Sequence, residues 1–171
     1  LPSQWVLIAR DAFNGTVLWK QHIPEWNTQL WPLKSGPNQL HRRLVAVGDR
    51  VYVTLGIDAP LSALDAATGN LKWRWAFEET GARWNHSPRP NSGRGVAYWT
   101  DGRAARIFTV TPGFRLVALD AATGKVLWDK ELFSKDMSKA KSHSKNSFAS
   151  PSAITDGTHV FFHFGPDGTA A

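Results

Sequence analysis

Residues 118–128 read Ala118-Leu119-Asp120-Ala121-Ala122-Thr123-Gly124-Lys125-Val126-Leu127-Trp128. The same template stands upstream as Ala63-Leu64-Asp65-Ala66-Ala67-Thr68-Gly69-Asn70-Leu71-Lys72-Trp73. A looser copy opens the chain as Ala9-Arg10-Asp11-Ala12-Phe13-Asn14-Gly15-Thr16-Val17-Leu18-Trp19. In every copy Gly follows Asp by four positions and Trp follows Asp by eight, and the aspartates stand 54 and 55 residues apart. Self-similarity at a fixed period marks a repeat architecture.

The template has a physical reading. Ala-x-Asp ends one strand, and the Asp and Thr (or Asn14) side chains offer oxygens to free backbone N–H groups of a turn. Gly15, Gly69 and Gly124 supply the positive φ that a tight hairpin needs. Asp11, Asp65 and Asp120 recur with the turn, so they read as turn-formers rather than general bases. The strand that follows alternates, which predicts Val17 and Trp19 on one face. By the same rule Leu71 shares a face with Trp73, Trp75 and Phe77, and Val126 with Trp128. Trp19, Trp73 and Trp128 are then core residues packed between sheets.

A second type of hairpin precedes or follows each copy. Arg43–Val47 and Arg50–Thr54 flank a turn at Gly48-Asp49. Gly95–Trp99 and Arg106–Val110 flank Asp101-Gly102, and Ser152–Ile154 and His159–His163 flank Asp156-Gly157. The predicted fold is therefore all-β, built of four-stranded antiparallel blades of a β-propeller. Two complete blades are expected at 43–77 and 95–132. Half blades are expected at 1–23, supplying two final strands, and at 149–171, supplying two initial ones. A closed propeller needs at least about four blades. Pairing of the half blades between two copies predicts a self-associating chain, a homodimer of six blades.

Composition narrows the function. The 171 residues include nine Trp, 14 Gly, 10 Pro and no Cys, with a formal net charge of +6. Absence of Cys excludes disulfide scaffolds and Cys-based metal sites. No apolar run reaches the ~18 residues of a membrane-spanning helix. The chain opens Leu1-Pro2-Ser3, with no secretory n-region or h-region in view. The densest basic stretch, Lys130–Lys145, also carries Glu131 and Asp136, which reads as a solvated connection and not as a nucleic-acid face. There is no nucleophile elbow and no phosphate loop. His159 and His163 lie about 13 Å apart at strand rise, too far for one metal. His86 and His143 stand in loops without a fixed acidic neighbour. Trp26, Trp31 and Trp84 fall in connections and are the candidates for an exposed stacking platform. No catalytic residue and no metal ligand is assigned.

The three Asp-x-x-Thr/Asn-Gly-x-x-x-Trp copies resemble the tryptophan-docking repeat of the pyrroloquinoline quinone (PQQ) propeller superfamily. That superfamily holds both quinoprotein dehydrogenases and non-catalytic relatives such as the lipoprotein of outer-membrane β-barrel assembly. The resemblance implies a ring of roughly seven or eight blades, of which this chain is less than half. Ser92-Gly93-Arg94-Gly95-Val96-Ala97-Tyr98-Trp99 is similar to a stretch of the quinoprotein dehydrogenases whose arginine contacts the quinone. Arg94 is thus the one cofactor-binding position the resemblance carries over, and a guanidinium suits carboxylate and quinone oxygens. The chain departs from that pattern at Pro88 and Arg89, where alcohol-oxidising members place a vicinal disulfide. Calcium ligands and the catalytic aspartate come from later blades. The resemblance therefore implies one of two roles. The first is a non-catalytic binding or scaffold module, with a protein or small-molecule ligand on the propeller face. The second is a segment of a PQQ- and calcium-dependent alcohol or sugar dehydrogenase. By the same resemblance the compartment is bacterial, periplasmic or secreted.

Overall fold

The computed structural model describes residues 5–23, 43–55, 60–78, 95–111, 113–133, 152–164 and 168–171. These carry thirteen β-strands and, among the described residues, no α-helix. β1 (Trp5–Arg10) and β2 (Val17–Ile23) form a two-stranded sheet. β3 (Leu44–Val47), β4 (Arg50–Thr54), β5 (Leu61–Asp65) and β6 (Leu71–Trp75) follow in spatial order as a four-stranded sheet. β7 (Ala97–Thr100), β8 (Ala105–Val110), β9 (Arg115–Asp120) and β10 (Val126–Glu131) repeat that sheet. β11 (Ile154–Thr155), β12 (Val160–His163) and β13 (Thr169–Ala170) make the last, three-stranded one. All pairings are antiparallel.

The sheets stack face to face, because the middle strands are apolar on both sides. Val51 and Val53 pack with Ile23, Leu7 and Trp19 of the first sheet, while Tyr52 between them packs towards Ile107, Val117 and Leu119 of the third. β8 does the same one sheet later: Ile107 faces the second sheet, and Phe108 and Val110 pack with Ala153, Phe162 and Phe164 of the last. A strand covered on both faces reads as a continuous apolar run, as Val51-Tyr52-Val53 does.

Two sequence expectations need correction. Each docking hairpin carries a bulge: Ala9, Ala63 and Ala118 pair with Trp19, Trp73 and Trp128, yet the next residues Arg10, Leu64 and Leu119 pair with Val17, Leu71 and Val126. Leu18, Lys72 and Leu127 are the extra residues, and an extra residue flips the alternation. Val17, Leu71 and Val126 therefore do not share the tryptophan's face and are exposed. The second correction concerns the C-terminal sheet, expected as two strands. Ala170 pairs with Phe162 and Thr169 with His163, so a third strand is in place. Its Ala170, opposite Phe162, packs back against the third sheet.

Candidate functional site

The recurring turn is held by its aspartate. Asp65 Oδ1 accepts from the backbone N–H of Ala67 (3.1 Å) and Thr68 (2.9 Å) and from the Thr68 hydroxyl (2.9 Å). Asp65 Oδ2 meets the Lys72 ammonium at 3.0 Å. The Lys72 contact first, then the Thr68 bonds, hold the Asp65 carboxyl well below the usual carboxylate range. Asp120 repeats the arrangement with the Thr123 hydroxyl (2.7 Å) and N–H (2.8 Å), and the hydroxyl bond leads the causes that lower its pKa. In the first copy Asp11 accepts from the N–H groups of Phe13 and Asn14, and Asn14 Oδ1 takes the Thr16 N–H at 2.8 Å. All three glycines have positive φ, at 73°, 74° and 73°.

The second and third of these turns are also seats for the preceding sheet's tryptophan. Trp19 donates its indole N–H to the Ala66 carbonyl at 2.8 Å, and Trp73 donates to the Ala121 carbonyl at 3.0 Å. The rings lie flat against the turn glycines. A Cβ on Gly69 would stand 2.7 Å from Trp19 Cδ2, and one on Gly124 would stand 2.6 Å from Trp73 Cε3. Glycine is thus required twice at these positions, for φ and for ring approach. The Ala121 carbonyl accepts a second bond, from the Tyr52 hydroxyl at 3.1 Å, and burial raises the Tyr52 pKa. Trp73 is buried; Trp19 and Trp128 are half-buried.

Arg94 lies outside the described residues, as do Trp26, Trp31, Trp84, His86 and His143. The described part of the Arg94 segment is structural. Val96 and Ala97 are core residues, and Tyr98 stacks on Tyr52 with centroids 6.3 Å apart. Trp99 donates to the Gly157 carbonyl at 2.6 Å, joining the third and fourth sheets, with the Arg106 guanidinium 5.0 Å from its ring centre. On β12 and its turn, His159 Nδ1 stands 3.5 Å from Asp156, and His163 Nδ1 pairs with the Thr169 hydroxyl at 2.8 Å. Among the described residues no three His, Cys, Asp or Glu side chains gather as a metal site.

The second type of turn, expected at Asp101-Gly102 and Asp156-Gly157, also repeats its side-chain bonds. In Thr100-Asp101-Gly102 and Thr155-Asp156-Gly157 the Thr hydroxyl donates four residues ahead, to the carbonyls of Ala104 and His159. Asp101 Oδ1 accepts from the N–H of Arg103 and Ala104, and Asp156 Oδ1 from those of Thr158 and His159. These backbone bonds lower both carboxyl pKa values. The signal was the shared Thr-Asp-Gly triplet, 55 residues apart.

The comparisons agree with this geometry. Residues 15–137 match the PQQ family model described as glucose/ethanol/alcohol dehydrogenase, beta-propeller domain. The chain belongs to that family. Over 68 residues it is 38% identical to an alcohol dehydrogenase (quinone) dehydrogenase subunit of Gluconobacter oxydans, covering 40% of this chain and 8% of the relative. Over 69 residues it is 38% identical to quinohemoprotein alcohol dehydrogenase ADH IIB of Pseudomonas putida, covering 40% and 9%. The chain thus spans less than a tenth of either relative. Among solved structures it resembles BamB from Moraxella catarrhalis, with a TM-score of 0.56 and 18% identity over 92% of this chain and 40% of that one. Quinohemoprotein alcohol dehydrogenase ADHIIG from Pseudomonas putida gives a TM-score of 0.55 and 23% identity, over 71% and 16%. At such identities the structural likeness shows the fold alone: a fragment of a PQQ-type propeller.

Proposed function

We propose that the chain acts as a non-catalytic binding or scaffold module of PQQ-type blades, periplasmic or secreted, that self-associates and presents its loops to a protein or small-molecule ligand. One observation carries this reading: the polar groups of the recurring motif are consumed in holding it together. Asp65 and Asp120 are bound by their own turns, and the Trp19 and Trp73 N–H groups by the next sheet's carbonyls.

A second reading is favoured by the relatives named above and by the Ser92–Trp99 segment. It makes the chain part of a PQQ- and calcium-dependent dehydrogenase, with Arg94 as a quinone contact. When bound, PQQ with calcium supplies hydride acceptance and Lewis-acid polarisation. The described residues do not by themselves fit that group, since they gather no set of metal ligands, and no reaction step is assigned to them. Titration of the chain with PQQ and calcium, followed by visible absorbance and a dye-linked alcohol or glucose assay, separates the two. Absence of saturable binding is expected under the scaffold reading; saturable binding with turnover overturns it.

A further inference from the structure

Asn14-Gly15 is the chain's one Asn-Gly pair, and it stands where the other two copies of the turn carry Thr68-Gly69 and Thr123-Gly124. The residue at this position reaches forward over the glycine in every copy. Thr68 Oγ1 accepts from the Asn70 N–H and Thr123 Oγ1 from the Lys125 N–H, each at 3.3 Å, while Asn14 Oδ1 accepts from the Thr16 N–H at 2.8 Å. Asn in place of Thr sets an electrophilic carbonyl carbon where the other copies have a hydroxyl. The bond to Thr16 closes the Asn14 side chain over the next peptide, which brings Cγ towards the Gly15 nitrogen. Glycine leaves that nitrogen unshielded by a Cβ. Asn14 is exposed, and so are Thr68 and Thr123 in the turns where a tryptophan is docked, so solvent reaches this position in every copy.

We propose that this turn presents Asn14-Gly15 for spontaneous covalent modification: deamidation through a cyclic imide, with water as the one co-reactant. The Gly15 nitrogen attacks Asn14 Cγ. Their bond forms, the Cγ–Nδ2 bond breaks, and the proton lost from Gly15 leaves through solvent with the departing ammonia. The Thr16 N–H already stands at Oδ1, where negative charge gathers during the attack. Water then opens the imide. Cleavage on the side-chain carbonyl gives aspartate, and cleavage on the main-chain carbonyl gives isoaspartate, whose backbone runs through the former side chain. That product lengthens the turn between the bonds that close it, Asp11 N–H to the Thr16 carbonyl at 2.8 Å and Gly15 N–H to the Asp11 carbonyl at 2.9 Å. The first hairpin thus carries a one-way chemical change that Thr68 and Thr123 deny to the second and third.

The turns at Asp101-Gly102 and Asp156-Gly157 share the succession of residues and lack the reactivity. Bonds from backbone N–H groups lower both carboxyl pKa values and hold them as carboxylates, which resist nucleophilic attack. Asn14 is a neutral amide with no ionised form to protect it, and Asn is among the thermolabile residues.

The test incubates the 171-residue chain at neutral pH, folded and in urea. Mass spectrometry follows the peptides holding Asn14 and Asn70, with fragmentation that distinguishes aspartate from isoaspartate. The expected result is conversion at Asn14 ahead of Asn70, at a rate in the folded chain within tenfold of that in urea. Amide hydrogens of Asp11 and Gly15 should exchange faster in the product, while Asn14→Thr, carrying the residue of the other copies, should keep slow exchange through the same incubation. Protection of Asn14 by tenfold or more on folding overturns the proposal, because the bonds of the turn would then shield the amide. Conversion at Asn70 before Asn14 in the folded chain overturns it as well.

Discussion

Trp73 on β6 and Ala121 in the turn after β9 are joined by an indole N–H···O=C bond of 3.0 Å across 48 residues of chain. The bond ties the second sheet to the third at the point where the ring also covers Gly124. Sequence repetition becomes spatial stacking here: one motif's last residue seats on the next motif's turn.

Trp73→Ala is expected to destabilise the chain by about 3–5 kcal/mol, the usual cost of truncating a large buried aromatic. The Ala121 carbonyl keeps its Tyr52 partner, so cavity formation dominates the loss and the unmade bond contributes less. Denaturant melts followed by circular dichroism measure it. A variant melting with the parent would show that Trp73 does not hold the two sheets together.

Tyr52→Phe is expected to cost less, at the lower end of the ~0.5–1.5 kcal/mol range for one hydrogen bond, because Trp73 still serves the shared carbonyl. Its signature lies in alkaline solution. Burial raises the Tyr52 pKa above the ordinary 10.0, so its share of stability is present below pH 10 and is lost as pH rises through the folded-state value. The parent should lose stability there more steeply than Tyr52→Phe. Parallel curves would remove Tyr52 as the cause.

Stability should also fall in acid. Asp101, Asp120 and Asp156 have pKa values lowered from 3.8 by bonds to their own turns, and Asp65 is lowered first by Lys72 and then by its turn's Thr68. Their contribution is present above that value and is lost as pH falls through the lower folded-state values. Thr123→Val, which removes the hydroxyl donated to Asp120, should raise that carboxyl's pKa in side-chain NMR titration. An unmoved Asp120 would mean that the backbone bonds alone set it.

The strands were legible in the sequence because Asp, Gly and Trp recur at fixed offsets and each has a distinct local task. The partner of each tryptophan was not legible. Its acceptor is a main-chain carbonyl of an alanine, and a carbonyl leaves no trace in residue type. The bulges at Leu18, Lys72 and Leu127 escaped for a related reason, since period-two reading assumes an unbroken ladder and assigns Val17, Leu71 and Val126 to the wrong face. β13 escaped because Thr169-Ala170 is too short to show any period. Arg94, the one cofactor contact carried over by resemblance, lies outside the described residues, while its neighbours Val96, Ala97 and Trp99 proved to be sheet-joining residues.

The three turn glycines form a matched series that separates backbone strain from ring contact. Gly15, Gly69 and Gly124 share φ values of 73–74°, so alanine at any of them carries the same left-handed penalty, about 1–2 kcal/mol. Only at Gly69 and Gly124 does the new methyl also fall within 2.7 Å of an indole. There it must push Trp19 or Trp73 off its seat and lengthen the bond to Ala66 or Ala121. Gly15→Ala should therefore show the strain alone. Gly69→Ala and Gly124→Ala should each lose a further amount of at least about 1 kcal/mol, the scale of overpacking a close contact, with altered tryptophan emission. Thermal melts of the three variants make the comparison. Equal losses at all three positions would show that the glycines serve φ alone and that the rings adapt without cost.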